Sequence, residues 1–128
     1  MNQEERIALL REARIIDSRE LFAKVNIIYS EFGQALRIMA GSTNQGVEGY
    51  IGVNEGNLVL FENTLFGGKP KKEVFFAPFD QVEFVSLKNT LFSITKVLRI
   101  KIGTQHYKLT PPAKYKNQIE QIASFLHK

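Results

Sequence analysis

The chain has 128 residues, 44% of them hydrophobic and 23% charged, with a formal net charge of +4. That length favours one domain with a core large enough to need no staple. It has no Cys, which excludes disulfides, thiolate nucleophiles and zinc–thiolate sites. No apolar run approaches the roughly 18 residues of a spanning helix. The mixed-charge start Met1-Asn2-Gln3-Glu4-Glu5-Arg6 is unlike a secretory leader, so the expectation is a cytoplasmic protein. The basic excess falls on residues 34–128, with twelve bases against seven acids. It permits contact with anionic lipid or nucleic acid without demanding either.

Residues 1–33 read as an N-terminal helical segment. Asn2-x-x-Glu5 is a helix start, and Ile7, Leu10 and Ala13 recur at helical spacing. Asp17-Ser18-x-Glu20 is a second start signal. After it Leu21, Phe22, Val25, Ile28, Tyr29 and Phe32 fall on one helical face, ending at Gly33. The β-branched cluster Val25, Ile27 and Ile28 argues for a strand instead. The expectation is helix. These stripes either pack on the rest of the chain or form a dimerisation arm, the first helix being the freer of the two.

Residues 34–128 read as short antiparallel strands closed by a helix. Ala35 to Ala40 form a first strand, and Gly41 to Gly46 a polar turn. Val47 to Val53 and Leu58 to Phe61 flank the tight turn Asn54-Glu55-Gly56-Asn57, where Gly56 can take positive φ. Thr64 to Lys72 is a loop, and Glu73 to Phe76 a strand ending before Pro78. Gln81 to Leu87 is the next strand, followed by the loop Lys88 to Ser93. Val97 to Ile102 and Gln105 to Leu109 alternate strictly. Leu98, Ile100, Ile102, Tyr107 and Leu109 point inward, and Arg99, Lys101, His106 and Lys108 point to water. Thr110 and Pro111 then open a helix whose buried stripe is Tyr115, Ile119, Ile122 and Leu126.

In the hairpin Gly49-Tyr-Ile-Gly-Val-Asn-Glu-Gly-Asn-Leu-Val-Leu-Phe61 and the stretch Val74 to Val85, this order resembles the bacterial pleckstrin-homology-like domains, the YokE-like type related in shape to GRAM domains. That family often carries Thr and Arg in the hairpin turn, where this chain has Val53 and Asn57. The resemblance implies an α+β fold: an antiparallel barrel of about seven strands, closed by a C-terminal helix and preceded by one or two N-terminal helices. It also implies a non-catalytic module that binds a protein or peptide. Phosphoinositide-binding members place cations on the first two strands and the loop between them. Here Gly41 to Gly46 has none and Arg37 stands alone, which argues against inositol-phosphate recognition.

No catalytic constellation is visible. Gly41-x-x-x-x-Gly46 has phosphate-loop spacing, but Val47-Glu48 follow where Lys-Ser/Thr must be. His106 and His127 have no neighbours at ligand spacing, so neither a cofactor nor a metal is expected. Two features remain. Asn63-Thr64-Leu65-Phe66-Gly67 nearly repeats as Asn89-Thr90-Leu91-Phe92-Ser93, both in loops that a simple meander places at one end. With Lys69, Lys71 and Lys72 beside them, Leu65, Phe66, Leu91 and Phe92 could meet an anionic membrane or a partner. The preferred reading tucks them inward as a cap on the core. The quartet Arg99, Lys101, His106 and Lys108 is the second feature. It lacks the interleaved aromatics of a nucleic-acid face and reads as solvated.

Overall fold

A computed structural model describes residues 1–30 and 46–127. Helix α1 (Gln3–Glu12) is followed by strands β1 (Phe22–Ser30), β2 (Val47–Asn54), β3 (Asn57–Asn63), β4 (Pro70–Pro78), β5 (Glu83–Asn89), β6 (Lys96–Ile102) and β7 (Gln105–Thr110), and by helix α2 (Lys116–Leu126). The strands form one antiparallel sheet in the order β4-β3-β2-β1-β7-β6-β5. Its ends, β4 and β5, are not hydrogen-bonded to each other, so the expected closed barrel is an open sheet.

The principal correction concerns residues 22–30. The expected second N-terminal helix is strand β1, the central strand, paired with β2 on one side and β7 on the other. The expected strand over 35–40, the turn over 41–46 up to Gly46 itself, and the boundary at residue 33 lie outside the described residues. Asp17 opens no helix either. Its carboxylate accepts the Arg19 backbone N–H at 2.9 Å in a turn that leads into β1.

Register sorts the side chains onto two faces. Ala23, Val25 and Ile27 of β1 share a face with Ile51, Leu60, Leu109, Leu98 and Ile100, and all eight are buried. This inner face is the core, and Ile119, Ile122 and Leu126 of α2 join it. The helical stripe expected there is therefore present. Its start differs: Thr110 ends β7, and a single 3-10 turn over Ala113–Tyr115 precedes α2.

The outer face is divided. Over β1 to β3 it is roofed by α1 and the segment after it. Asn2 caps α1 as expected, its Oδ1 accepting the Glu5 N–H at 2.8 Å. Leu10, Ile15 and Ile16 are buried, so α1 is part of the core cluster. Gly52 makes the fit possible, since a Cβ there would stand 2.5 Å from the Ile15 carbonyl oxygen. Phe22, Tyr50 and Tyr115 form an edge-packed group under α1, and Arg6 donates to both tyrosine hydroxyls, at 3.1 and 3.3 Å. Over β6 and β7 the same face carries the basic residues.

Candidate docking surface

The near-repeat in the sequence is a repeat in space. In the β3–β4 loop the Thr64 N–H donates to the Lys69 carbonyl at 2.8 Å, and the Lys69 N–H donates to Thr64 Oγ1 at 3.2 Å. The β5–β6 loop has the same clamp. There the Thr90 N–H donates to the Thr95 carbonyl at 3.0 Å, and the Thr95 N–H donates to Thr90 Oγ1 at 3.2 Å. Each threonine thus ties a six-residue loop across its base, and the residues between are forced outward.

Those residues are the Leu-Phe pairs. Leu65 and Phe66 are 95% and 91% exposed, and Leu91 and Phe92 are 79% and 84% exposed. The expectation that they cap the core is overturned, because the threonine clamps turn the loop tips away from it. Ile94, unremarked in the sequence, adds a third large apolar side chain to the second tip at 61% exposure. The backbone carries a cost for this. In the first loop the left-handed positions fall on Gly67 and Gly68, but in the second they fall on Phe92 (φ 63°) and Ser93 (φ 56°). A bulky residue in that region is strained by about 1–2 kcal/mol.

Lys69, Lys71 and Lys72 beside the first tip are exposed, and none of them is in an ion pair among the described residues. Beside the second tip, Lys116 Nζ donates to the Ser93 carbonyl at 3.4 Å, and Lys96 pairs with Glu120 at 3.5 Å.

The simple meander does not hold. Pairing makes β3 run parallel to β1 and β5 antiparallel to it, so the two loops leave the sheet in opposite strand directions. A Cβ at Gly68 would stand 3.3 Å from Glu48 Oε1, and Glu48 pairs with Lys24 at 3.3 Å. Lys24 and Glu48 also line a groove with Asn26, Thr110, Pro112 and Lys114.

The basic quartet sits on the paired strands β6 and β7. Arg99 lies opposite Lys108, and Lys101 opposite His106. Like charges directly opposite on a sheet repel. Glu83 is the cross-strand neighbour of Lys101 on the β5 side, without coming within ion-pair distance. Elsewhere, the inner face ends in a ring cluster of Tyr29, Tyr107 and Phe75, with Tyr29 donating its hydroxyl to Glu62. Burial, with the Glu62 carboxylate beside it, holds the Tyr29 phenol well above its ordinary range. His127 packs on Phe84, ring centres 4.7 Å apart. Among the described residues no three His, Asp or Glu gather as metal ligands. No helix among them is long and apolar enough to cross a membrane.

Seven antiparallel strands in this order, with a C-terminal helix packed on the inner face, make a pleckstrin-homology-like fold. No family model matches the sequence, and no curated protein matches it. Among solved structures the chain is similar to the apo structure of the activated truncation of Vav1, with a TM-score of 0.52 and 10% identity over 96% of this chain. It spans 33% of the length of that chain. It is also similar to the PH domain from TgAPH, at a TM-score of 0.46 and 16% identity over 98% of each chain. At such identities the likeness concerns the fold alone.

Proposed function

We propose that this chain is a non-catalytic interaction module that attaches to an anionic membrane surface through its two Leu-Phe loops. The observation that carries this reading is the exposure of Leu65, Phe66, Leu91 and Phe92 on loops tied at their bases. Folding gains nothing from leaving four such side chains in water. Each releases on the order of 1.5–3 kcal/mol when it finds an apolar environment. Lys69, Lys71 and Lys72 behind the first tip, in no ion pair among the described residues, supply the attraction to anionic headgroups, worth about 1 kcal/mol each near such a surface. The finer resemblance to the bacterial YokE-like type, and a cytoplasmic location, belong to this reading as proposals.

A second reading, a protein or peptide partner, draws on the open sheet. Among the described residues, strands β4 and β5 each leave an edge without a strand partner in the sheet, and β5 carries the exposed Val85. Both β4 ends are prolines and its Lys71, Lys72 and Glu73 are exposed, which protects that edge from adventitious pairing and leaves β5 the better template.

Vesicle co-sedimentation at low salt decides between them. The wild-type chain is expected to pellet with phosphatidylserine-containing vesicles and to stay in solution with phosphatidylcholine alone. Leu65→Ser/Phe66→Ser and Leu91→Ser/Phe92→Ser should weaken that binding while leaving the melting temperature unchanged. No binding of the wild-type chain to anionic vesicles ends the membrane reading.

A further inference from the structure

We infer that this chain pairs with a second copy of itself, each copy seating its Leu65-Phe66 tip in a groove beside α1 of the other. The inference goes beyond the membrane reading and draws on the first tip alone. A bilayer and a second copy compete for the same two side chains.

The groove runs between α1 and the β3–β4 loop. Met1, Ala8 and Leu9 give it apolar surface, Glu5 and Glu12 line it from the same side of the helix, and Gly67 and Lys69 line it from the loop. Met1 and Ala8 are exposed and Leu9 is half-buried.

The tip beside this groove is held away from it. Thr64 Oγ1 accepts the Lys69 N–H at 3.2 Å and donates to the Phe66 carbonyl at 2.7 Å, while the Thr64 N–H donates to the Lys69 carbonyl at 2.8 Å. With the loop tied in this way Leu65 and Phe66 stand in solvent, although Phe66 directly precedes the groove-lining Gly67. A projecting apolar pair and an apolar groove thus adjoin on one surface, and neither fills the other within the chain. A two-fold axis beside them satisfies both at once. In such an isologous contact the tip of each copy meets the groove of the other, and a phenylalanine seated in a groove is a suitable anchor.

Charge favours the same crossing. Lys69, Lys71 and Lys72 follow the tip, and Glu5 and Glu12 line the groove. None of these five is in an ion pair among the described residues. Exchange of tips brings the lysines of one copy to the glutamates of the other, which sets the register of the pair. Two tips and two short stretches of helix make a small interface, so the dimer is weak and forms as concentration rises.

Sedimentation velocity over about 5–500 μM tests the pairing, a span that brackets weak self-association. The wild-type chain should move from monomer toward dimer. Leu65→Ser/Phe66→Ser, which empties the groove, and Ala8→Gln, which fills it, should each weaken association at least about tenfold. Ala8 is exposed and glutamine is a good helix former, so that variant should keep the wild-type melting temperature. Glu5→Lys/Glu12→Lys and Lys69→Glu/Lys71→Glu should each be monomeric alone, since like charges then face one another. Mixed in equal amounts they should associate. The reversed groove of one then meets the reversed tip of the other, and the two unaltered surfaces also match. A wild-type chain that stays monomeric throughout overturns the pairing. So does a dimer that Leu65→Ser/Phe66→Ser leaves unchanged, and so does a mixture of the two folded charge variants that fails to associate.

Discussion

Asp17 holds Glu55 in a backbone conformation that glycine would normally supply. The Asp17 carboxylate accepts the Glu55 N–H at 2.6 Å, and Arg19, itself paired with Asp17 at 2.7 Å, donates to the Glu55 carbonyl at 2.7 Å. Glu55 sits at φ 55°, while Gly56 beside it is not in the left-handed region. The β2–β3 turn is therefore set by the segment before β1, 38 residues earlier in the chain.

A pH dependence follows. Arg19, then the backbone N–H groups of Glu55 and Arg19, hold the Asp17 carboxyl well below its ordinary range. A depressed folded-state pKa contributes stability that is complete above the unfolded value of about 4 and is lost as pH falls through the folded one. Asp17→Asn should therefore cost about 1 kcal/mol at neutral pH, the low end for a charge-assisted pair that solvent reaches. Urea midpoints of the two proteins should converge as pH is lowered below about 4. A constant gap across that range would mean the carboxylate is not the cause.

Leu10 tests whether α1 is an integral part of the fold. It is fully buried between α1 and the outer face of the sheet. Leu10→Ala should destabilise the whole domain by about 2–4 kcal/mol in a single urea transition. A loss confined to helical signal, with the sheet melting unchanged, would mark α1 as a free arm.

Thr90 tests the clamp. Thr90→Val keeps the backbone bond to Thr95 and removes the hydroxyl that accepts the Thr95 N–H. The expected cost is about 0.5–1.5 kcal/mol by denaturant unfolding. Hydrogen exchange should quicken at Thr95 while the β1–β2 amides are unaffected. Unaltered exchange at Thr95 would show that the backbone bond alone closes the loop.

Lys108 tests the basic face. It stands opposite Arg99 with no carboxylate within ion-pair distance among the described residues. Lys108→Glu should stabilise the domain by about 0.2–1 kcal/mol, less at high salt. A loss of stability would mean that a neighbour prefers the cation.

The chain from Val47 to Leu109 was legible because its half-buried strands alternate in period two and its turns are marked by glycine, asparagine and proline. Leu98, Ile100 and Leu109 lie inside, and Arg99 and Lys108 outside, for that reason alone. The α2 stripe was equally plain, since a helix lying on a sheet shows one apolar face. Strand β1 was not legible. It alternates Ala23, Val25 and Ile27 toward the core with Lys24 and Asn26 outward, but its outer face also carries Phe22, packed on Tyr50, and Ile28. Those two outward apolar residues make Leu21, Phe22, Val25, Ile28 and Tyr29 satisfy helical spacing as well. The run Val25, Ile27 and Ile28 was the local signal that pointed the right way.

The Leu-Phe loops divide in the same manner. The repeated Asn-Thr-Leu-Phe was visible in the residues, but hydropathy assigns such side chains to a core. Only the hydrogen bonds between Thr64 and Lys69 and between Thr90 and Thr95 turn them outward. Periodicity reports which neighbours a residue has along its own element. The direction in which a loop points is decided by the bonds across its base, which form only when the flanking strands are paired, and no local pattern encodes them.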